Sequence, residues 1–118
     1  MTQEDKELLL KDLCARLPYG VKIQVPYEDG SGYFDEIVWE VNNDGPFHVN
    51  GWGIEYEYVK PYLFPLSSIT KKTLEELSAY IDIKNAYVAV EFFNSHHIDY
   101  RGLIEKGLAI DATGLDIY

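Results

Sequence analysis

Near residue 21 the spacing of apolar residues changes from a helical period to a period of two, and that change makes the chain open with a helix followed by strands. Leu10, Leu13, Cys14 and Leu17 fall at i, i+3, i+4 and i+7, one stripe of an amphipathic helix, and Leu9 widens it. From Val21 the period becomes two. Val21, Ile23 and Val25 share one face of a strand, with Lys22 and Gln24 on the other. The longest apolar runs have three or four residues, as in Leu8-Leu9-Leu10. A membrane-spanning helix needs about 20, so no membrane association is expected.

The first helix is predicted over Thr2–Leu17. Thr2 and Asp5 have capping-box spacing, and Pro18 and Gly20 stop the helix. Glu7 with Lys11, and Asp12 with Arg16, are acid-before-base pairs at i, i+4, assigned to its wetter side. Pro26 ends the first strand, and Glu28–Gly32 reads as a turn. In the second strand Ile37, Trp39 and Val41 point one way, and Glu36, Val38 and Glu40 the other. Asn42-Asn43-Asp44-Gly45 is a strong turn signal. Phe47 and Val49 predict a short third strand, and Ile54, Tyr56 and Tyr58, alternating with Glu55 and Glu57, a further one.

Residues 60–70 read as a connector held extended by Pro61 and Pro65. A helix is predicted over 71–81, with Leu74, Leu77 and Ile81 inward. Residues 87–93 fit either a strand, through Val88 and Val90, or a helix, through Ala89, Phe92, Phe93 and His96; the helix is preferred. Asp99 can cap a last short helix ending at Gly107, and residues 108–118 show no period. The expectation is one α+β domain over 1–118. It has an N-terminal helix, a small twisted antiparallel sheet of three or four strands (an SH3-like curl stays open), and C-terminal helices packed on it.

Twenty acidic residues face ten basic ones, a formal charge of −10 in 118 residues. Direct nucleic-acid binding is thereby disfavoured, because phosphates need a basic patch. The acidity either keeps the surface soluble or presents an acidic face to a basic partner. Cys14 is the only cysteine, which excludes an intramolecular disulfide and a Cys-based zinc site. Its place on the apolar stripe reads as a small buried hydrophobe. Met1–Asp5 is acidic where a secretory signal is basic and then apolar, so a cytoplasmic location is expected.

His96-His97-x-Asp99 is the sharpest chemical constellation: two imidazoles and a carboxylate suit zinc, iron or manganese. Adjacent histidines on a helix project about 100° apart, however, and seldom share one metal. A further ligand would have to come from Glu91 or His48. The structural alternative makes His96 the end of an apolar stripe, His97 exposed and Asp99 a helix cap. Arg101, one of two arginines, reads either as an anion-binding group or as a bridge locking the C-terminal segment to the body. Gly51-Trp52-Gly53 offers a loop-tip anchor, and Tyr56, Tyr58 and Tyr62 could extend a binding surface from it. No phosphate-cradling glycine loop or nucleophile elbow occurs, and no cofactor is expected.

Three stretches also carry a resemblance. They are LLLKDLCARLPYGV at Leu8–Val21, KPYLFPLSS at Lys60–Ser68 and HHIDYRGLIEKGLA at His96–Ala109. Together they resemble a group of small uncharacterised proteins encoded by Bacteroides-type gut bacteria and their phages or prophages. The resemblance implies a bacterial, cytoplasmic context and a mobile element, and brings no activity with it. Three functional classes follow. The first is a non-enzymatic accessory module that binds another protein through an acidic, Tyr-rich face. The second is a DNA-mimicking inhibitor of a DNA-binding enzyme, with Glu36, Glu40, Glu55 and Glu57 along one face. The third is a small metal-dependent enzyme built on His96, His97 and Asp99.

Overall fold

The computed structural model describes residues 2–27, 29–38, 40–42, 45–47, 59–69, 75 and 86–118. Helix α1 (Gln3–Arg16) begins with the capping box: the Asp5 N–H donates to Thr2 Oγ1 at 3.1 Å, and the Thr2 N–H donates back to Asp5. A 3-10 turn at Leu17–Tyr19 follows, and Gly20 in the left-handed region (φ 68°) turns the chain out of it. The helix buries Leu9, Asp12, Leu13 and Arg16, a face rotated by about one residue from the expected stripe. Cys14 is exposed, not buried, and Leu10 and Leu17 are half-buried. The Asp12–Arg16 pair forms as its spacing predicts, but at the centre of the buried face rather than on the wet side. Counting the pair as surface charge is what misplaced the face.

Strand β1 (Lys22–Pro26) pairs antiparallel with β2 (Tyr33–Ile37), and the Tyr27 N–H continues the ladder to the Gly32 carbonyl. Val21, Ile23 and Val25 are all buried, as their alternation predicts. The second strand is faced the other way. Val38 is buried and Ile37 is exposed, because the Val38 N–H donates to the Val21 carbonyl and turns its side chain to the core. Strands β3 (Glu40–Asn42) and β4 (Gly45–Phe47) pair antiparallel, with Asn42 opposite Gly45 where the turn was expected.

Residues 60–65 are no connector. They form β5 (Lys60–Pro65), whose Tyr62 and Leu63 are buried and which pairs with three other strands. It pairs antiparallel with β1, parallel with β6 (Ile98–Asp99) at Phe64–Pro65, and parallel with β7 (Ile110–Asp111) at Tyr62–Leu63. The sheet, of order β2–β1–β5–β6 with β7 also on β5, is therefore mixed and not purely antiparallel. The prolines that suggested a linker sit at positions where extended φ suits a strand.

Helix α2 (Ala86–Ser95) resolves the ambiguity over 87–93 in favour of helix. No helix forms after Asp99. Residues 98–99 join the sheet, and Leu103–Gly107 is a turn bounded by left-handed Gly102 and Gly107. Asp99 still caps it: its two carboxylate oxygens accept the Leu103 and Ile104 N–H groups, each at 2.9 Å. That turn delivers Leu103, Leu108 and Ala109 to a core shared with Leu9, Leu13, Val21, Ile23, Val25, Val38, Val59 and Leu63. The expected strand over 54–58 and the bulk of the helix over 71–81 lie outside the described residues. Among the described residues no helix is long and apolar enough to cross a membrane.

The patternless tail completes the sheet. Ile23 opposes Pro61 and Gln24 opposes Lys60, so the next rung would join Lys22 to Tyr62. The Tyr118 hydroxyl stands in that rung. It accepts the Lys22 N–H at 2.8 Å and donates to the Tyr62 carbonyl at 2.8 Å. Tyr118→Phe strips both backbone groups of their partner. Equilibrium urea unfolding should show a loss of about 1–3 kcal/mol with an unchanged denaturant slope.

Candidate functional site

The groups with chemical potential gather where α1, the end of α2 and β6 meet. Arg16 and Asp12 are wholly buried there. Arg16 Nε donates to Asp12 Oδ2 at 2.8 Å. One terminal nitrogen of Arg16 donates to the Ile98 carbonyl at 2.5 Å, and the other to the Phe93 carbonyl at 3.4 Å. Phe93 lies in the last turn of α2, whose carbonyls have no partner within the helix and favour a cation. The second oxygen of Asp12 accepts from Arg101, at 3.2 Å. Tyr100 lies beside both guanidiniums, at 5.3 Å from Arg16 and 4.6 Å from Arg101, and stacks on Phe93. Burial pushes the Asp12 carboxyl above its ordinary value, while the charges of Arg16 and Arg101 hold it down.

The predicted metal constellation is drawn apart. His96 is exposed; its ring stacks on Phe92, with Nδ1 3.0 Å from the Phe92 carbonyl and 3.1 Å from Ser95 Oγ. His97, expected on the surface, is buried, with a left-handed backbone (φ 58°) and its ring flat on that of Tyr118. The two ring centroids are 3.6 Å apart and the planes 9° from parallel. Asp99 has both oxygens occupied by backbone N–H groups. Glu91 is exposed, and His48 lies outside the described residues. Among the described residues no group of three or more His, Cys, Asp or Glu is placed to hold a metal ion.

The expected binding residues also divide. Tyr62 is buried in the sheet; its hydroxyl donates to Asp35 at 2.5 Å and accepts from Gln24 at 3.2 Å. Burial and the Asp35 carboxylate hold its phenol above the ordinary value. Arg101 is the structural bridge between the C-terminal half and α1. Trp52, Tyr56, Tyr58, Glu55 and Glu57 lie outside the described residues. Of the carboxylates proposed for a mimicking face, only Glu36 has a described side chain, and it is half-buried.

Sequence reasoning missed the second cluster, of His97, Tyr118 and Lys22. Lys22 donates its ammonium hydrogen to the Ile117 carbonyl at 2.5 Å and lies 5.7 Å from the centre of the Tyr118 ring. Burial lowers the His97 pKa to about 4, with help from the nearby Arg16, His96 and Lys22 side chains. Burial likewise pushes Tyr118 up to about 12. Both rings are therefore neutral at pH 7, and Tyr118 covers His97 while keeping 40% of its own surface exposed. Two buried polar atoms nearby in sequence, His97 Nδ1 and Asn94 Oδ1, have no hydrogen-bond partner among the described residues. Compared with protein-family models, curated proteins and solved structures, the chain matches none of them.

Two outcomes follow from this electrostatic arrangement. Asp12→Ala leaves two guanidiniums facing each other, one of them fully buried, and should cost about 3–5 kcal/mol in urea unfolding. Replacing Asp12 and Arg16 together by Leu and Met should cost less than the sum of the two single changes. The second concerns pH. His97 protonates near 6.5 when unfolded and only near 4 when folded. Between those values the unfolded state binds more protons, so stability falls as pH drops from 6.5 to about 4 and this contribution levels off below that. His97→Asn, which tolerates the left-handed backbone, should flatten that part of the unfolding profile.

Proposed function

We propose that this protein is a small acidic, non-enzymatic interaction module, an accessory factor of phage or prophage origin that binds another protein in the cytoplasm. The reading rests on one observation: three of the side chains singled out for chemistry are already used to hold the chain together. Asp99 closes a turn, Arg101 pairs with Asp12, and His97 is stacked against Tyr118. The charge of −10 adds a long-range attraction for a basic partner. The resemblance to proteins of Bacteroides-type bacteria and their phages supplies the cellular setting.

The test is affinity capture from a nuclease-treated extract of a Bacteroides-type host. It is run at about 0.1 M and about 1 M salt, where the screening length falls from about 10 Å to about 3 Å. A stoichiometric protein partner should be held at low salt and released at high salt. Trp52→Ala or Tyr56→Ala should abolish its capture while leaving the unfolding transition in place. Recovery of no partner in either arm overturns the reading. A captured DNA-binding enzyme that duplex DNA competes away would make the module a DNA mimic.

A further inference from the structure

The slot that holds Tyr118 reads a tyrosine and not merely a ring. Its hydroxyl must accept from the Lys22 N–H and donate to the Tyr62 carbonyl at once. The ring must lie flat on the His97 imidazole, at 3.6 Å between centroids. The carbonyl of the preceding residue must reach the Lys22 ammonium, as that of Ile117 does at 2.5 Å. A phenylalanine would meet the last two demands and leave two backbone groups of the sheet unpaired. All three are met by a tyrosine and its preceding peptide group, whichever chain supplies them.

The occupant is held under strain. Among the described residues only two non-glycine residues have left-handed φ, His97 at 58° and Asp116 at 54°. One is the wall of the slot, and the other lies two residues before the tyrosine that fills it. Such outliers persist only where surrounding contacts hold them, and they concentrate at clamps and switches. The segment between β7 and the slot is exposed from Thr113 to Asp116 and turns at Gly114 (φ 77°), and Tyr118 itself lies across the slot with 40% of its surface open to solvent. Its grip on the body is concentrated in Tyr118 and the Ile117 carbonyl.

We propose that the slot between β1 and β5 is a tyrosine-specific peptide site filled in cis by residues 113–118, and that the same segment of a second copy takes its place when the chain's own strap lifts away. The second copy is the occupant because it carries the very segment whose fit is seen here, on an exposed turn that can swing outward. Exchange of an identical element between copies creates no new type of contact.

The test uses the full-length chain and two labelled hexapeptides, TGLDIY and TGLDIF, followed by fluorescence anisotropy. Full-length Tyr118→Ala should bind TGLDIY at least about ten-fold more tightly than TGLDIF. The natural chain should bind TGLDIY at least about ten-fold more weakly than the variant does, because its own strap competes. Absent binding to the folded variant, equal affinity for the two peptides, or equal affinity of variant and natural chain overturns the proposal. Should the variant fail to fold, hydrogen exchange on the natural chain decides. The Lys22 amide, bonded to Tyr118, should exchange at least about ten-fold faster than the Ala112 amide, bonded to the Leu63 carbonyl, because the strap opens without global unfolding. Equal rates at the two amides overturn it.

Discussion

A buried guanidinium organises this molecule. Arg16 is fully enclosed, and an enclosed cation carries a desolvation cost of several kcal/mol unless its donors are all directed at acceptors. Its planar fork imposes three directions. Along them lie Asp12 on its own helix, the Phe93 carbonyl near the end of α2 and the Ile98 carbonyl of β6. The placement of α2 and β6 against α1 is thus dictated by hydrogen-bond geometry as well as by apolar contact. Asp12 extends the network to Arg101, and Tyr100 lies against both guanidiniums.

Strand β5 is the second organising element, and it depends on the first. Its Phe64 N–H donates to the His97 carbonyl, one residue before the Ile98 carbonyl that Arg16 holds. The left-handed turn at His97 aims successive carbonyls in different directions, one at the sheet and one at the arginine. The same turn lays the imidazole flat against Tyr118. One strained residue thereby serves the buried cation, the sheet and the strap.

Much of the scaffold was legible because local periodicity and burial agreed. The α1 capping box, the inward face of β1 and the pairing of Asn42 with Gly45 all follow from short-range chemistry. The helix over 86–95 had to be chosen against a strand, since a short apolar run fits both periods. Strand β5 was hidden by its prolines, which mark linkers and strands alike. Two faces were misread for one reason. Side-chain polarity stood in for direction, yet Asp12 and Arg16 neutralise each other inside, and Val38 turns inward through a backbone bond to Val21.

For the candidate site, Arg101 as a bridge and Asp99 as a cap were readable from charge scarcity and spacing. The burial of His97 was not, because nothing in a His-His pair says which ring the backbone will turn inward. Tyr118 had no signal at all. By itself the sequence determined the α+β class, the acidic charge, the single thiol and the ends of α1, since each depends on composition or on residues within a turn of one another. Tertiary structure alone decided which charges are buried, which histidine is neutral and what completes the β1–β5 ladder. Those outcomes join residues as far as 96 positions apart, as Arg16 joins Phe93 and Lys22 joins Tyr118, and no local pattern encodes such distances.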